Sequence, residues 1–312
     1  MGKYSENLPQ LDGTLFLTDG GLETTLIFHE ELDLPEFAAY PLLDNPDTRA
    51  VLDQYFHTYS SLARDGKTGF ILESATWRAS PDWANILGHG AAKLDHLNQE
   101  AIRQLSRVRD AFETEHSPMV ISGCVGPRGD GYVVGEAMSA SDAQAYHATQ
   151  IDSFSRTDAD MVTAITMTYA DEAIGIANAA EADGLPAAIS FTVETDGHLP
   201  SGQPLREAIA QVDGEAKRAP AYFMINCAHP AHFADPVNDS GDWQSRIQGI
   251  RANASKMSHA ELDEAEELDD GNPLELGSEY RELMALLPKL NIMGGCCGTD
   301  HRHVHAIFEA CS

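Results

Sequence analysis

Eight short apolar runs, each followed by a stretch long enough for a helix, set the rhythm of this chain. The runs fall at 14–18, 69–73, 119–124, 161–166, 187–193, 222–227, 247–253 and 290–294. Most are apolar throughout rather than alternating, the pattern of strands covered on both faces. Between them apolar residues recur at helical spacing. Segment 48–64 carries Val51, Leu52, Tyr55, Phe56, Tyr59 and Leu62, and segment 94–115 carries Leu97, Ile102, Leu105, Val108 and Phe112. Further helices are predicted at 141–157, where Ser141 and Asp142 offer a cap, and at 171–183, 204–212 and 276–287. Strand and helix in alternation imply parallel pairing through right-handed crossovers. Eight such units predict an α/β fold, a single-domain (β/α)₈ barrel of the TIM type over residues 1–312. One segment interrupts the rhythm: 258–272 holds seven acidic residues, Glu266 and Glu267 among them, and reads as an acidic insertion or lid. It lacks the ligand spacing of an EF-hand.

Composition narrows the function. The 312 residues are 43% hydrophobic, enough for one large core without disulfides. A formal charge of −29 argues against nucleic acid and anionic membrane surfaces as partners, and is compatible with a cationic small molecule. No apolar run approaches the roughly 20 residues of a membrane span. Residues 1–13 lack the basic and apolar regions of a signal peptide, so the expected location is the cytoplasm. Five cysteines, an odd number, argue against a disulfide framework.

The chemistry of a barrel lies at the C-terminal ends of its strands. Three segments there run from an apolar strand into small or reactive residues: Leu17-Thr18-Asp19-Gly20-Gly21, Ile225-Asn226-Cys227-Ala228-His229-Pro230, and Met293-Gly294-Gly295-Cys296-Cys297-Gly298-Thr299. One strand separates the sixth from the eighth, so Cys227 can meet Cys296 and Cys297. Three thiolates with a fourth position open are the donor set of one catalytic Zn²⁺. A substrate thiol entering that position would lose its proton to the pull of the cation, and the surplus charge of three thiolates would keep it nucleophilic toward a methyl group. Cys124 reads as a small core residue and His229 as a neighbour that orients the site. Of His301, His303 and His305 only the outer two share a helix face, which suits the start of a last helix better than a metal cluster.

These segments resemble the homocysteine S-methyltransferase family. The similarity lies in Asp19-Gly20-Gly21-Leu22, in Asn226-Cys227-Ala228-His229-Pro230 and in the double-cysteine end, Gly294 to Thr299. Ser122-Gly123-Cys124-Val125-Gly126-Pro127 and Ser190-Phe191-Thr192-Val193 also fit. The resemblance implies a (β/α)₈ barrel, zinc on Cys227, Cys296 and Cys297, homocysteine as methyl acceptor and methionine as product. It implies that Asp19, with Gly20 beside it, holds the amino-acid end of the acceptor. A glutamate that binds the substrate ammonium in many members is replaced by Ile165. Glu73, at the end of the second strand, is expected to supply the lost charge together with Asp19, with Glu194 in reserve. Trp77 is the aromatic candidate to lie against a sulfonium donor. With no stretch of the chain left for a cobalamin or folate module, the expected donor is a free small molecule, S-methylmethionine or S-adenosylmethionine. Two other readings use the same residues. One is zinc–thiolate chemistry on a different thiol or selenol, or with a betaine or sulfonium osmolyte as donor. The other is a non-enzymatic zinc protein whose cysteine site is closed by a fourth ligand, for which His229 is the nearby candidate.

Overall fold

In the computed structural model, which describes residues 2–239, 241–265 and 267–312, eight parallel strands close into a barrel in sequence order. They are β1 (Phe16–Leu17), β2 (Gly69–Glu73), β3 (Met119–Val125), β4 (Met161–Met167), β5 (Ala187–Phe191), β6 (Tyr222–Asn226), β7 (Ile247–Ala252) and β8 (Ile292–Gly295). Closure is made by β8 against β1, with Ile292 opposite Phe16 and Met293 opposite Leu17. All eight predicted strands are present. The first is cut to two residues, Phe16 and Leu17, and the chain leaves the sheet before the Asp19-Gly20 turn. The sixth stops at Asn226 because Cys227 takes a left-handed backbone, φ +54°.

Helices lie between the strands, most of them covering the outside and α1 and α9 reaching the C-terminal mouth: α1 (Leu22–Phe28), α2 (Pro46–Gly66), α3 (Pro81–Ile86), α4 (Ala91–Phe112), α5 (Ala140–Ser155), α6 (Ala170–Ala182), α7 (Leu205–Glu215), α8 (Pro230–Val237), α9 (His259–Asp263), α10 (Pro273–Leu286) and α11 (His301–Cys311). Their starts follow local chemistry. Asn45 caps α2, accepting from Asp47 N ahead of Pro46 at the first helical position. The cap of α5 is Ser139, two residues before the predicted start, and it accepts from Asp142 N. Among the described residues no helix is long and apolar enough to cross a membrane.

Two apolar cores result. The larger lies between the barrel and its helices. The smaller fills the lower barrel with Phe16, Ile71, Val120, Met161, Ala188, Tyr222, Met224 and Ile292. Strand side chains alternate, so positions two and four residues further along point into the same interior nearer its C-terminal mouth. That parity sends Glu73, Ser122, Cys124, Thr163, Ile165, Asn226 and Arg251 inward. The sequence is apolar at the bottom of the barrel and polar at the top, and the site sits where it changes.

Candidate active site

At the C-terminal mouth lies a cleft of about 440 Å³. Asp19, Gly20, Glu73, Trp77, Cys227, Cys296 and Cys297 all line it, as do Cys124 and Ile165. A larger groove of about 770 Å³ runs over the outer surface beside α10 and α11 and contains none of the three cysteines.

Cys227 Sγ lies 2.7 Å from Cys296 Sγ and 3.6 Å from Cys297 Sγ, and all three sulfurs fall within 4.8 Å of one another. The nearest pair is well beyond the roughly 2.05 Å of a disulfide, and the thiols are free. Hydrogen bonds from the Cys227 and Cys297 thiols, aided by the charge of Arg251, hold Cys296 well below its ordinary value. A soft three-sulfur donor set drawn from two strand ends, with Cys296 biased toward its thiolate, fits a divalent zinc ion. Among the described residues no histidine or carboxylate joins the cluster. His229 faces away: its Nδ1 accepts from Ala231 N at the start of α8 and its Nε2 lies 3.2 Å from Glu279.

The backbone that presents the sulfurs is strained and pinned. Cys227 and Thr166 both have positive φ, +54° and +65°. Such non-glycine conformations persist only where surrounding contacts over-determine them. Asn226 supplies those contacts. Its Oδ1 accepts from Thr166 N at 2.9 Å and Ser190 Oγ at 2.6 Å, and its Nδ2 donates to Thr166 Oγ1 at 2.8 Å. His259, at the head of α9, donates from Nε2 to the Cys227 carbonyl at 2.7 Å. After the cysteine pair the chain turns at Gly298, φ +77°, where Thr24 Oγ1 accepts from its N–H at 3.2 Å. Gly20 permits close approach, since a Cβ there would lie 2.6 Å from the Tyr59 hydroxyl and 2.8 Å from the Thr299 carbonyl.

Beside the sulfurs is a buried ionic group. Arg251 Nη2 pairs with Asp19 Oδ1 at 2.6 Å, and the Tyr55 hydroxyl donates to Asp19 Oδ2 at 3.0 Å. Burial pushes Asp19 up, and Arg251 and Tyr55 pull it back. Asp19 Oδ2 therefore accepts a hydrogen bond inside the protein, while Oδ1 is ion-paired with Arg251 but accepts no hydrogen bond. Glu73 differs. Burial pushes it up to about 7 against the pull of Arg251 and of the Thr163 and Ser122 hydroxyls, and its Oε2 has no hydrogen-bond partner. Glu194 is placed elsewhere: it lies outside the cleft lining, with Oε1 3.3 Å from His259 Nδ1. Trp77 reaches the wall, but Arg78 sits over its ring at 4.5 Å and over Trp83 at 3.6 Å.

Three participants were not singled out in the sequence. Arg251 had a visible signal, a lone cation inside an apolar strand, which must find a buried partner. Tyr132 had none. It reaches in from the loop after β3, with its hydroxyl 3.4 Å from Cys227 Sγ and 3.5 Å from Cys297 Sγ, and its ring stacks on His259 at 4.0 Å. Asn226 stood within a quoted motif without a role. The acidic segment 258–272 contributes Leu262, Ala265, Glu267, Leu268 and Asp269 to the cleft. Its Glu266 lies outside the described residues.

Fold and site define the class: a closed (β/α)₈ barrel with three thiols converging at its C-terminal mouth. The sequence profile described as Homocysteine S-methyltransferase matches residues 16–311, and the chain belongs to that family. Among solved structures it is similar to the homocysteine methyltransferase MmuM from Escherichia coli. The oxidized form superposes with a TM-score of 0.74 at 19% identity, covering 96% of each chain. The metallated form gives 0.72 at 19% identity, covering 95% of this chain and 96% of that one. Comparison with curated proteins gives no significant match.

Proposed function

We propose that this protein transfers a methyl group from a small cationic donor to the sulfur of homocysteine, releasing methionine, with one zinc ion held by Cys227, Cys296 and Cys297. The convergence of these three sulfurs in a cleft that also carries a buried carboxylate with one unpartnered oxygen is the observation that carries the reading. Zinc, when bound, would lower the pKa of an incoming thiol so that it reacts as a thiolate at neutral pH. The residues of the chain do the rest. Glu73 receives the acceptor's ammonium on its free oxygen. Asp19 is held by Arg251 and Tyr55 and keeps the Gly20 turn in place. Asn226 and His259 fix the peptide that presents Cys227. The cleft lining holds Asp19, Glu23, Glu73, Asp130, Glu267 and Asp269 against Arg78 and Arg251, an acidic balance that favours a sulfonium such as S-methylmethionine or S-adenosylmethionine over an anionic donor. Segment 258–272 acts as a lid over this opening, and excluding water there strengthens each of these charge contacts.

The direct test is methionine formation by zinc-loaded protein mixed with homocysteine and each sulfonium donor in turn. Absence of methionine with every donor would overturn the reading. A second expectation concerns Glu73. Glu73→Gln should raise the KM for homocysteine about 10-fold while changing kcat less than about 3-fold, the value of one charge-assisted hydrogen bond. Because Glu73 titrates at about 7 beside Arg251 and Asp19, it carries its charge above that pH and loses it below. The affinity for homocysteine should therefore rise from pH 6 to 8, and Glu73→Gln should flatten that limb. An unchanged KM in the variant would remove Glu73 from the acceptor site.

A further inference from the structure

We infer that Arg251 is the carboxylate anchor of the acceptor site and makes the cleft selective for thiols that carry an acid group. The inference deepens the acceptor reading above and rests on it. A guanidinium has five N–H donors. In Arg251, Nε donates to the Gly295 carbonyl at 3.1 Å, and Nη2 donates to the Gly20 carbonyl at 3.2 Å and pairs with Asp19. Nη1 has no partner among the described residues, although it is buried and Arg251 lines the cleft. Buried donors are almost always satisfied, by protein, water or ligand.

The opposite wall repeats the pattern with the opposite sign. Glu73 Oε2 is buried and unpartnered, and Glu73 lines the same cleft. The charge of Arg251 acts on Glu73, yet among the described residues the two form no ion pair. One spare cationic donor and one spare anionic acceptor, held apart in one cleft beside three thiols, complement a zwitterion. The acceptor's carboxylate goes to Arg251 Nη1 and its ammonium to Glu73 Oε2, while its sulfur points at the cysteine cluster. Both contacts are charge-assisted and shielded from water, where such bonds are strongest.

The test is calorimetric binding to the zinc-loaded protein. Homocysteine is compared with 3-aminopropane-1-thiol, which lacks the carboxylate, and 4-sulfanylbutanoate with butane-1-thiol, which compares an acid with no acid where the amine is missing. In the wild type the carboxylate should tighten binding about 10- to 100-fold in each pair. In Arg251→Gln that increment should fall below about 3-fold, while Glu73→Gln should keep it. Arg251→Lys, whose single charged head can still serve Asp19, guards against misfolding of the first variant and should lose the increment too, with thermal melting read alongside. A wild type indifferent to the carboxylate, or variants that retain the full increment, would overturn the assignment. If homocysteine fails to bind at all, the acceptor reading fails by itself, and the second pair of thiols still decides the role of Arg251.

Discussion

Cys296→Ala should lose both its zinc and its methyl transfer. Structural zinc sites bind with about 10–16 kcal/mol shared over four ligands, so removing one thiolate should weaken the metal by roughly 2.5–4 kcal/mol, about 10²- to 10³-fold. Turnover should fall with the metal, because zinc is what would make the incoming thiol reactive at neutral pH. Zinc content after dialysis against a chelator and methionine formation are the two measurements. The metal-free variant should melt within a few degrees of the metal-free wild type, since Cys296 is only half-buried at an open cleft. Cys311→Ala, at the end of α11, should change neither readout. Full zinc occupancy in Cys296→Ala would remove the cysteine trio as the metal site, and the proposed chemistry with it.

Asn226→Leu should damage stability and metal binding together. The substitution keeps the volume but strands Thr166 N and the Ser190 hydroxyl, both fully enclosed. Each buried polar group left without a partner costs about 1–3 kcal/mol, so a loss of roughly 2–6 kcal/mol is expected on chemical denaturation of the metal-free protein. The same bonds hold the left-handed backbone at Thr166 and, one residue along the chain, at Cys227. Released from them, that segment relaxes and the Cys227 sulfur drifts, weakening zinc about 10- to 100-fold, as loss of groups that orient metal ligands commonly does. Competition against a chromophoric chelator measures this. A variant that is less stable but binds zinc as tightly as the wild type would show that Asn226 supports the barrel without positioning the ligand.

Much of the barrel was readable before any coordinates, because strands covered on both faces must be apolar throughout and therefore announce themselves. Strand 69–73 matches β2 at both ends, and the other strands differ by no more than two residues at either end. The shortfalls have local causes. β1 ends early at a glycine turn, and β6 ends early at a strained cysteine. α1, α3 and α8 were not anticipated, being six to eight residues long, too short to show a helical repeat. α5 begins at Ala140 because the hydroxyl of Ser139, rather than that of Ser141, caps its first turn by accepting from Asp142 N.

What the chain determined by itself was the order of its layers and the meeting of its three thiols. Parallel strands in sequence order leave one strand between the sixth and the eighth, so residue types at those two ends are brought together by topology alone. Partnership between other elements was decided only in three dimensions. Asp19 was expected beside the acceptor, and only the structure shows that Arg251 and Tyr55, from β7 and α2, engage it there. Glu194 looked available and is turned to His259, whereas Glu73 keeps an oxygen free. Tyr132 reaches the sulfurs from a loop whose path no periodicity encodes. Periodicity reports which face of a strand or helix is buried; it carries no information on which buried charge meets which, because that depends on side-chain reach across elements distant in the chain.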